Sequence, residues 1–286
     1  MEGCSKYCSF CVVPYTRGDE VSRKPEQIFD EVARLVEQGV SEIVFVGQNV
    51  NAYKYSLNGR LLGLSDLIEV CGSIDGVERI RYTTSHPLEM TDDLIDAYSH
   101  VPQLVSHLHL PVQSGSNEIL TKMKRNYSRE EYIEIINKLL KVRPNIKISS
   151  DFIVGFPNET DFDFQQTMDL IEEVKFDASF SFIYSARPGT PASQLEDMVP
   201  IEVKKERLQT LQAQINKQAS IISHSMVGST QKVLVERRSK KNLAELSGRT
   251  ENMRWVNFVA TDECLGQFVD VVITEALPNS LRGRLV

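Results

Sequence analysis

The sequence of 286 residues lacks features that would identify several classes of protein. No apolar run approaches the roughly 18 residues of a membrane span, and no basic segment followed by an apolar one marks a secretory signal at the N-terminus. The five cysteines are an odd number, which does not suggest a disulfide framework. Low-complexity segments and repeats of about 20–50 residues are also absent. These absences exclude disordered, collagen-like and disulfide-stabilised chains, and we expect a cytoplasmic protein.

The composition is that of an ordinary globular protein. Hydrophobic residues make up 41% and charged residues 25%, enough apolar material for a sizeable core. The length predicts about two domains. The net charge of −7 argues against a general nucleic-acid binder, but the charge is unevenly distributed. Residues 226–286 hold nine Lys and Arg against seven Asp and Glu, a net charge of +2, whereas residues 1–225 have a net charge of −9. A basic tail on an acidic body indicates that the tail meets a polyanion.

Helix and strand patterns alternate along the first 225 residues. Helices with one apolar face are predicted at 25–38, 62–74, 91–99, 128–141, 161–174 and 201–224. Strands are predicted near 42–47, 78–83, 106–112, 147–153 and 178–184. This alternation predicts a parallel sheet whose ligands gather at the carboxyl ends of the strands. Short alternating strands at 232–236, 255–259 and 268–274 then predict a small all-β barrel.

Three of the five cysteines lie within eight residues, at Cys4, Cys8 and Cys11. Thiolates so close on a short loop can all bind one metal centre. Three ligands with no neighbouring histidine suit an iron–sulfur cluster better than a closed zinc site, which needs four. The alternative is three chance cysteines or an incomplete zinc site. Cys71 lies in an apolar helical stretch and is predicted in the core, while Cys264 lies in a turn, and we expect no functional role for either.

Around these cysteines and at later strand ends, the sequence resembles the radical S-adenosylmethionine (SAM) enzymes and, more narrowly, the MiaB-type tRNA methylthiotransferases. The resemblance is carried by Gly3–Gly18, Val21–Arg23, Gly47–Tyr53, Arg81–Pro87, Leu108–Ser116, Asp151–Pro157, Phe180–Tyr184 and Arg187–Ala192. Pro14–Arg17 and Gly47–Asn51 favour the tRNA branch over the ribosomal-protein (RimO-type) branch. The tail resembles a TRAM domain, an RNA-binding β-barrel. The implied fold is α/β: a partial (β/α)6 radical-SAM barrel at 1–225, its first strand largely missing, followed by the TRAM barrel at 226–286.

The resemblance implies that Cys4, Cys8 and Cys11 hold a [4Fe-4S] cluster whose open iron is chelated by SAM. Reductive cleavage of SAM then gives a 5′-deoxyadenosyl radical, which abstracts hydrogen from C2 of N6-isopentenyladenosine beside the tRNA anticodon. Sulfur and a methyl group from another SAM complete the 2-methylthio group. The implied partners are a tRNA bearing that base and an electron donor of the flavodoxin or ferredoxin type. We expect a monomer with no membrane contact.

The family carries a further domain before the radical-SAM core, with three more cysteines for a second [4Fe-4S] cluster. Those ligands are absent from this sequence, and we therefore expect a truncated form of the enzyme. Two other functions stay open. One is a radical-SAM modification of a different adenosine, which Tyr15 and Asn51 disfavour. The other is an RNA-binding remnant with an inert core.

The resemblance also implies roles for residues at the predicted strand ends and in the tail. SAM binding is expected of Gly47, Gln48, Asn49, Gln113, Ser114, Ser116, Asp151 and Gly155. Contacts with substrate are expected of Arg17, Arg23, Arg187, Arg249, Arg254 and Trp255, since guanidinium groups bind carboxylate or phosphate and aromatic faces stack on bases. The alternatives are strand-end turns, solvated arginines and a core tryptophan. His107 and His109 share a strand face without a third ligand and are predicted as ordinary strand residues.

Overall fold

The computed structural model describes residues 1–240, 242 and 244–286. Its helices are α1 (Val13–Arg17), α2 (Pro25–Glu37), α3 (Leu64–Gly72), α4 (Asp92–His100), α5 (Asn117–Lys122), α6 (Arg129–Val142), α7 (Asp161–Val174) and α8 (Ile201–Ser225). Its strands are β1 (Glu42–Phe45), β2 (Tyr55–Leu57), β3 (Arg60–Leu62), β4 (Arg79–Tyr82), β5 (His107–His109), β6 (Lys147–Ser149), β7 (Asp151–Val154), β8 (Phe180–Ile183), β9 (Thr230–Arg238), β10 (Glu245–Arg249), β11 (Trp255–Val259), β12 (Phe268–Leu277) and β13 (Ser280–Leu285). Of the helices described, none has the length and hydropathy that crossing a membrane requires.

Helix starts in the core follow the signals in the sequence. At α6, Ser128 Oγ accepts from the Glu131 N–H at 3.2 Å, and the Glu131 carboxylate accepts from the Ser128 N–H at 2.6 Å. Thr160 and Asp163 form the same reciprocal pair at α7. Pro25 occupies the first turn of α2, where its missing N–H costs nothing. Capping of this kind is local, and the predicted helices consequently lie within two residues of the observed ones.

The core strands run parallel, and the α/β prediction is confirmed. Strand β1 pairs with β4, β5 with β6, and β7 with β8, while single bridges from Ile80 to Leu104 and from Gln113 to Phe152 connect these pairs into one series. The predicted strand at 147–153 is divided at Ser150, whose hydroxyl accepts from the Val112 N–H and donates to the Leu110 carbonyl. The ladder is thus completed by a side chain at the point where the strand is interrupted.

The main hydrophobic core lies between the outer face of these strands and the surrounding helices. Ile80, Leu108 and Phe152 contribute fully buried side chains from three strands. Cys71 on α3 is also fully buried there, as predicted, and burial raises the pKa of its thiol to about 12. Cys71 is therefore a packing residue. The hairpin β2–β3 and the short helices α1 and α5 lie between predicted elements and were not expected from the sequence.

The tail forms a closed five-stranded barrel with the order β10-β11-β13-β12-β9, which confirms the predicted all-β domain. Its core is built from alternate residues such as Val233, Val235, Phe258 and Val271. Strands β10 and β13 were missed because glycine interrupts their alternation. Gly248 is needed there, since a Cβ at this position would lie 2.2 Å from the Leu234 carbonyl oxygen.

The barrel docks on the amino ends of the core strands. Arg79 and Arg81 on β4 bind Glu42 on β1 and also donate to the backbone carbonyls of Arg249, Lys232 and Glu251 in the barrel region. The Glu251 carboxylate accepts from the Ser106 N–H, one residue before β5.

A second connection is the pair Arg254–Asp177, with two nitrogen–oxygen distances of 2.6 and 2.7 Å. The Asp177 side chain is 2% exposed and the Arg254 side chain 11% exposed. Since Asp177 precedes β8, this ion pair lies on the same edge of the sheet as the arginines of β4. The two domains are therefore joined through buried charge.

We predict that Asp177→Ala lowers the free energy of unfolding by about 3–5 kcal/mol, because it leaves a buried guanidinium without its anion. Glu31→Ala, which removes the exposed partner of Arg23, is the control and is expected to cost about 0–1 kcal/mol. Denaturant unfolding of the full chain measures both. Equal, small losses in the two variants would contradict the importance of the interdomain pair.

Candidate active site

The three clustered cysteines lie on one loop between the N-terminal segment and α1. The Cys11 N–H donates to the Cys8 carbonyl at 3.0 Å, and the Cys4 N–H donates to the Gly18 carbonyl at 3.1 Å, so the loop folds back on itself. Tyr7 takes a positive φ of 50° at the turn. Burial is the main cause that raises the pKa of Cys4, and the nearby Cys8 and Cys11 thiols raise it further. The three cysteine sulfurs therefore lie close enough to interact electrostatically.

These thiols fit a cluster better than a single ion. None is in a disulfide, and Cys8 is buried while Cys4 and Cys11 are half-buried. Within the described part of the chain, no three His, Cys, Asp or Glu side chains are grouped closely enough for one metal ion. A zinc ion binds each thiolate sulfur at about 2.3 Å and needs four ligands, so its thiolates lie close together. A cubane cluster binds each thiolate through a different iron, and its thiolates therefore lie further apart. The donor set matches three ligands of such a cluster.

Arg125 is a residue of this site that sequence reasoning missed. It follows α5 and is 5% exposed. Its Nη1 donates to Cys8 Sγ at 3.4 Å, its Nε to the Tyr127 hydroxyl at 2.9 Å and its Nη2 to the Pro111 carbonyl at 2.7 Å. Burial lowers the pKa of Arg125, but Tyr127 and Cys8 raise it by more, so the group stays charged. No sequence pattern signals this contact, which joins residues 117 positions apart.

Buried polar atoms without partners lie on the loops that follow β1 and β4. Asn49 Oδ1, Ser85 Oγ and His86 Nε2 have no hydrogen-bond partner among the residues described. The Leu88 N–H donates to His86 Nδ1 at 3.3 Å, so the neutral ring carries its proton on Nε2. Burial, then Arg125 and Lys6, lower the pKa of His86 to about 2 and keep the ring neutral. Such unpaired donors and acceptors are groups that a ligand at the strand ends would satisfy.

The predicted cofactor residues that follow β1 lie beside the cysteine loop. The Asn49 amide donates to Glu20 at 3.0 Å, and Glu20 in turn donates its N–H to Ser5 on that loop. Gln48 is exposed. Gly47 makes room for the N-terminal segment, since a Cβ there would lie 2.6 Å from the Met1 carbonyl oxygen.

The predicted residues at the next strand end have other partners. Gln113 takes a φ of 76° and pairs through its backbone with the Asp151 carbonyl and the Ile153 N–H. Ser114 lies 3.3 Å from the Thr167 hydroxyl, and Ser116 donates to Asp163 at 2.5 Å. These two buried hydroxyls hold the start of α5 against α7, so the structure gives them a packing role.

Gly155 lies against α8. A Cβ there would lie 2.4 Å from Lys204 Cγ, and the Gly155 N–H donates to Glu159 at 3.1 Å. The assignment of Ser114, Ser116 and Gly155 to SAM stays a prediction.

Asp151 lies with His109 on the inner face of the curved sheet. His109 Nε2 is 3.4 Å from the Asp151 carboxylate, and Nδ1 is 3.0 Å from Ser149 Oγ. The His109 ring meets the edge of Phe180 at 6.3 Å, and Phe180 is 63% exposed. The neighbouring His107 is half-buried, and desolvation lowers its pKa to about 4. This face thus offers a polar pair beside an exposed aromatic ring.

The predicted substrate arginines are dispersed. Arg17 and Arg187 are exposed, and Arg23 pairs with Glu31 at 2.7 Å. Arg254 is committed to the interdomain pair with Asp177, which leaves its guanidinium turned away from solvent.

Trp255 lies outside the barrel core. Its ring is covered by Arg237 at 4.1 Å and by Arg249 at 4.3 Å. Sequence reasoning named Arg249 and Trp255 but missed Arg237. We call these three residues the tryptophan platform.

Comparison with known proteins supports these observations. Residues 1–171 match the model of the radical SAM superfamily, and residues 224–286 match that of the TRAM domain. A tRNA-2-methylthio-N(6)-dimethylallyladenosine synthase from Histophilus somni is 59% identical over the whole chain. The protein of that name from Methylococcus capsulatus is also 59% identical. The chain spans 60% and 63% of these relatives. The radical SAM methyltransferase TsrM from Kitasatospora setae superposes with a TM-score of 0.54 at 17% identity, over 67% of this chain and 37% of that one.

We predict that anaerobic reconstitution with iron and sulfide loads the chain with about four irons, as one cubane cluster requires. Cys8→Ala removes the buried ligand and is expected to abolish cluster assembly. Cys264→Ala, a half-buried cysteine in a turn of the barrel, is expected to keep the full iron content. Iron and sulfide analysis per chain measures this. Retention of the cluster by Cys8→Ala would refute the assignment.

Proposed function

Since the chain belongs to the radical SAM superfamily, we propose that it carries the catalytic core of a tRNA methylthiotransferase acting at C2 of N6-isopentenyladenosine beside the anticodon. The observation that supports this best is the loop of three free thiols next to the carboxyl ends of the parallel strands. The 59% identity with a synthase named for that product supports this choice of substrate. The TRAM barrel gives the chain a second surface for RNA.

Cys4, Cys8 and Cys11 would hold the [4Fe-4S] cluster. When bound and reduced, the cluster with SAM supplies the 5′-deoxyadenosyl radical that removes hydrogen from the adenine. The chain's own residues would bind SAM and orient it. Asn49 Oδ1 is an unpaired acceptor suited to the ammonium group of SAM, and His86 Nε2–H is an unpaired donor suited to its carboxylate. The described cysteines outside the loop, Cys71 in the core and Cys264 in the barrel, provide no second cluster site.

The inner face of the sheet would receive the target base. Phe180 offers an exposed ring for stacking, and the His109–Asp151 pair offers hydrogen-bonding groups for the edge of a base. His109 is the last residue of β5, and Pro111, two residues further, is connected to Cys8 through Arg125. This face of the sheet therefore offers a flat heterocycle an aromatic ring for stacking and a polar pair for hydrogen bonding.

The tryptophan platform would contact the RNA backbone and an unpaired base. Arg237 is exposed, and the cations at 4.1 and 4.3 Å hold the indole plane in place. Glu236 lies 3.4 Å from Arg249 and fixes that side chain in turn. The guanidinium planes that the indole holds are themselves surfaces on which a base of a single-stranded RNA segment stacks.

We expect the reconstituted, reduced chain to cleave SAM to 5′-deoxyadenosine and Cys8→Ala to form none. Product analysis by mass spectrometry measures this. Absence of 5′-deoxyadenosine from a chain that holds its cluster would favour the RNA-binding alternative and contradict the proposal.

The substrate is tested by adding isopentenylated or unmodified tRNA. We expect deuterium transfer from C2-labelled isopentenyladenosine to 5′-deoxyadenosine with the first tRNA only. Equal stimulation by both tRNAs would favour action on a different adenosine.

We predict that Trp255→Ala weakens tRNA binding about 5- to 150-fold, the loss expected for one stacked base of about 1–3 kcal/mol. Phe162→Ala, an exposed aromatic residue on α7, is the matched control and should leave affinity unchanged. Fluorescence anisotropy with labelled tRNA at fixed salt measures both. Equal affinity of Trp255→Ala and the original chain would show that the platform does not bind RNA.

A further inference from the structure

Arg125 is a buried cation without a carboxylate partner. Among the described residues, its guanidinium donates to a phenol, a backbone carbonyl and a thiol, and no Asp or Glu forms an ion pair with it. The three other described arginines that are as deeply buried differ, since Arg79 and Arg81 have Glu42 and Arg207 has Glu159. The half-buried Arg143 has no carboxylate partner either, but it reaches solvent. A buried charge without a counter-charge is costly, so this position calls for an anion.

Of the described groups that contact Arg125, Cys8 is the one that binding to a metal centre converts into an anion. A free thiol is a weak acceptor, whereas a metal-bound cysteine is a thiolate. The contact from Nη1 to Sγ is 3.4 Å, within the range for a hydrogen bond to sulfur. The charge balance of the site is therefore complete when Cys8 is a cluster ligand.

The surrounding contacts hold the guanidinium in place. Tyr127 binds Nε and also lies below the guanidinium, with 5.2 Å between its ring centre and Cζ. Ser9, next to Cys8, donates its N–H to the Met123 carbonyl at 2.9 Å and its hydroxyl to the Lys122 carbonyl at 2.7 Å. The segment 122–125 is thus fastened to the cysteine loop beside the contact between Arg125 and Cys8.

We propose that Arg125 is a positioning residue of the cluster, which donates to the Cys8 thiolate and makes reduction of the cluster easier. The proposal rests on the proposed function, because it requires Cys8 to be a cluster ligand. Reduction adds one electron to the cluster. A fixed positive charge and a hydrogen bond to a ligand sulfur both stabilise the added electron. Arg125 therefore raises the reduction potential.

The test is a potentiometric titration of the reconstituted full chain followed by electron paramagnetic resonance. We expect Arg125→Gln to lower the ratio of reduced to oxidised cluster about tenfold at a fixed potential, a shift of about 59 mV for one electron. Arg125→Lys keeps the charge and is expected to retain most of the potential. Iron content is measured in each variant, so that loss of the cluster is separated from a change in potential.

Arg143→Gln is the matched control. Arg143 also donates to buried backbone carbonyls, those of Tyr98, Val101 and Leu104, but does not contact the cysteine loop. It is expected to lose stability without a change in potential. A potential lowered in Arg125→Gln but not in Arg143→Gln supports the proposal.

Three results would overturn the proposal. One is an unchanged potential in an Arg125→Gln protein that holds its cluster. Another is loss of cluster assembly in both the Gln and the Lys variants with the fold retained, since Arg125 would then only shape the loop. The third is a wild-type chain that binds no cluster, which would refute the proposed function as well. A normal potential shift in a chain that forms no 5′-deoxyadenosine from SAM would refute the proposed function alone.

Discussion

Guanidinium groups that are wholly or partly buried hold together the parts of this molecule that the sheet does not join. Arg143 connects the end of α6 to the loop between α4 and β5 through three carbonyls. Arg207 on α8 fastens Glu159 and Asp161, after β7. Arg254 joins the barrel to the core, and Arg125 joins the cysteine loop to the end of β5. The planar group carries five donors, so a single side chain can satisfy several buried carbonyls and anions at once.

The amino ends and the carboxyl ends of the parallel strands have different roles in this structure. The amino ends carry the docked barrel, through Glu42, Arg79 and Asp177. The carboxyl ends carry the loops with Asn49 and His86 and face the cysteine loop. Parallel strands place all their carboxyl ends together, and the proposed chemistry follows that rule for α/β sheets. Docking of the barrel and the proposed cluster site thus use opposite ends of the same strands.

The parts that could be predicted from the sequence are those set by local interactions. The caps at Ser128 and Thr160 and the spacing of Cys4, Cys8 and Cys11 depend on neighbours in the chain. The rest depends on contacts between distant residues. The sequence predicts an RNA-binding role for Arg254, and the structure pairs its guanidinium with Asp177. Strand β10 loses its alternation at Gly248, where the Leu234 carbonyl of β9 leaves no room for a side chain. No neighbour of Arg125 in the sequence indicates that it meets Cys8.

The docking of the barrel has a consequence for the choice of RNA. Because a buried ion pair and buried hydrogen bonds to backbone carbonyls connect the barrel to the core, the structure holds the tryptophan platform at a set distance from the cysteine loop. An RNA that touches both points must bridge that span with its own folded shape. On the proposed function, the protein would select RNA by the distance between two features as well as by the identity of one base.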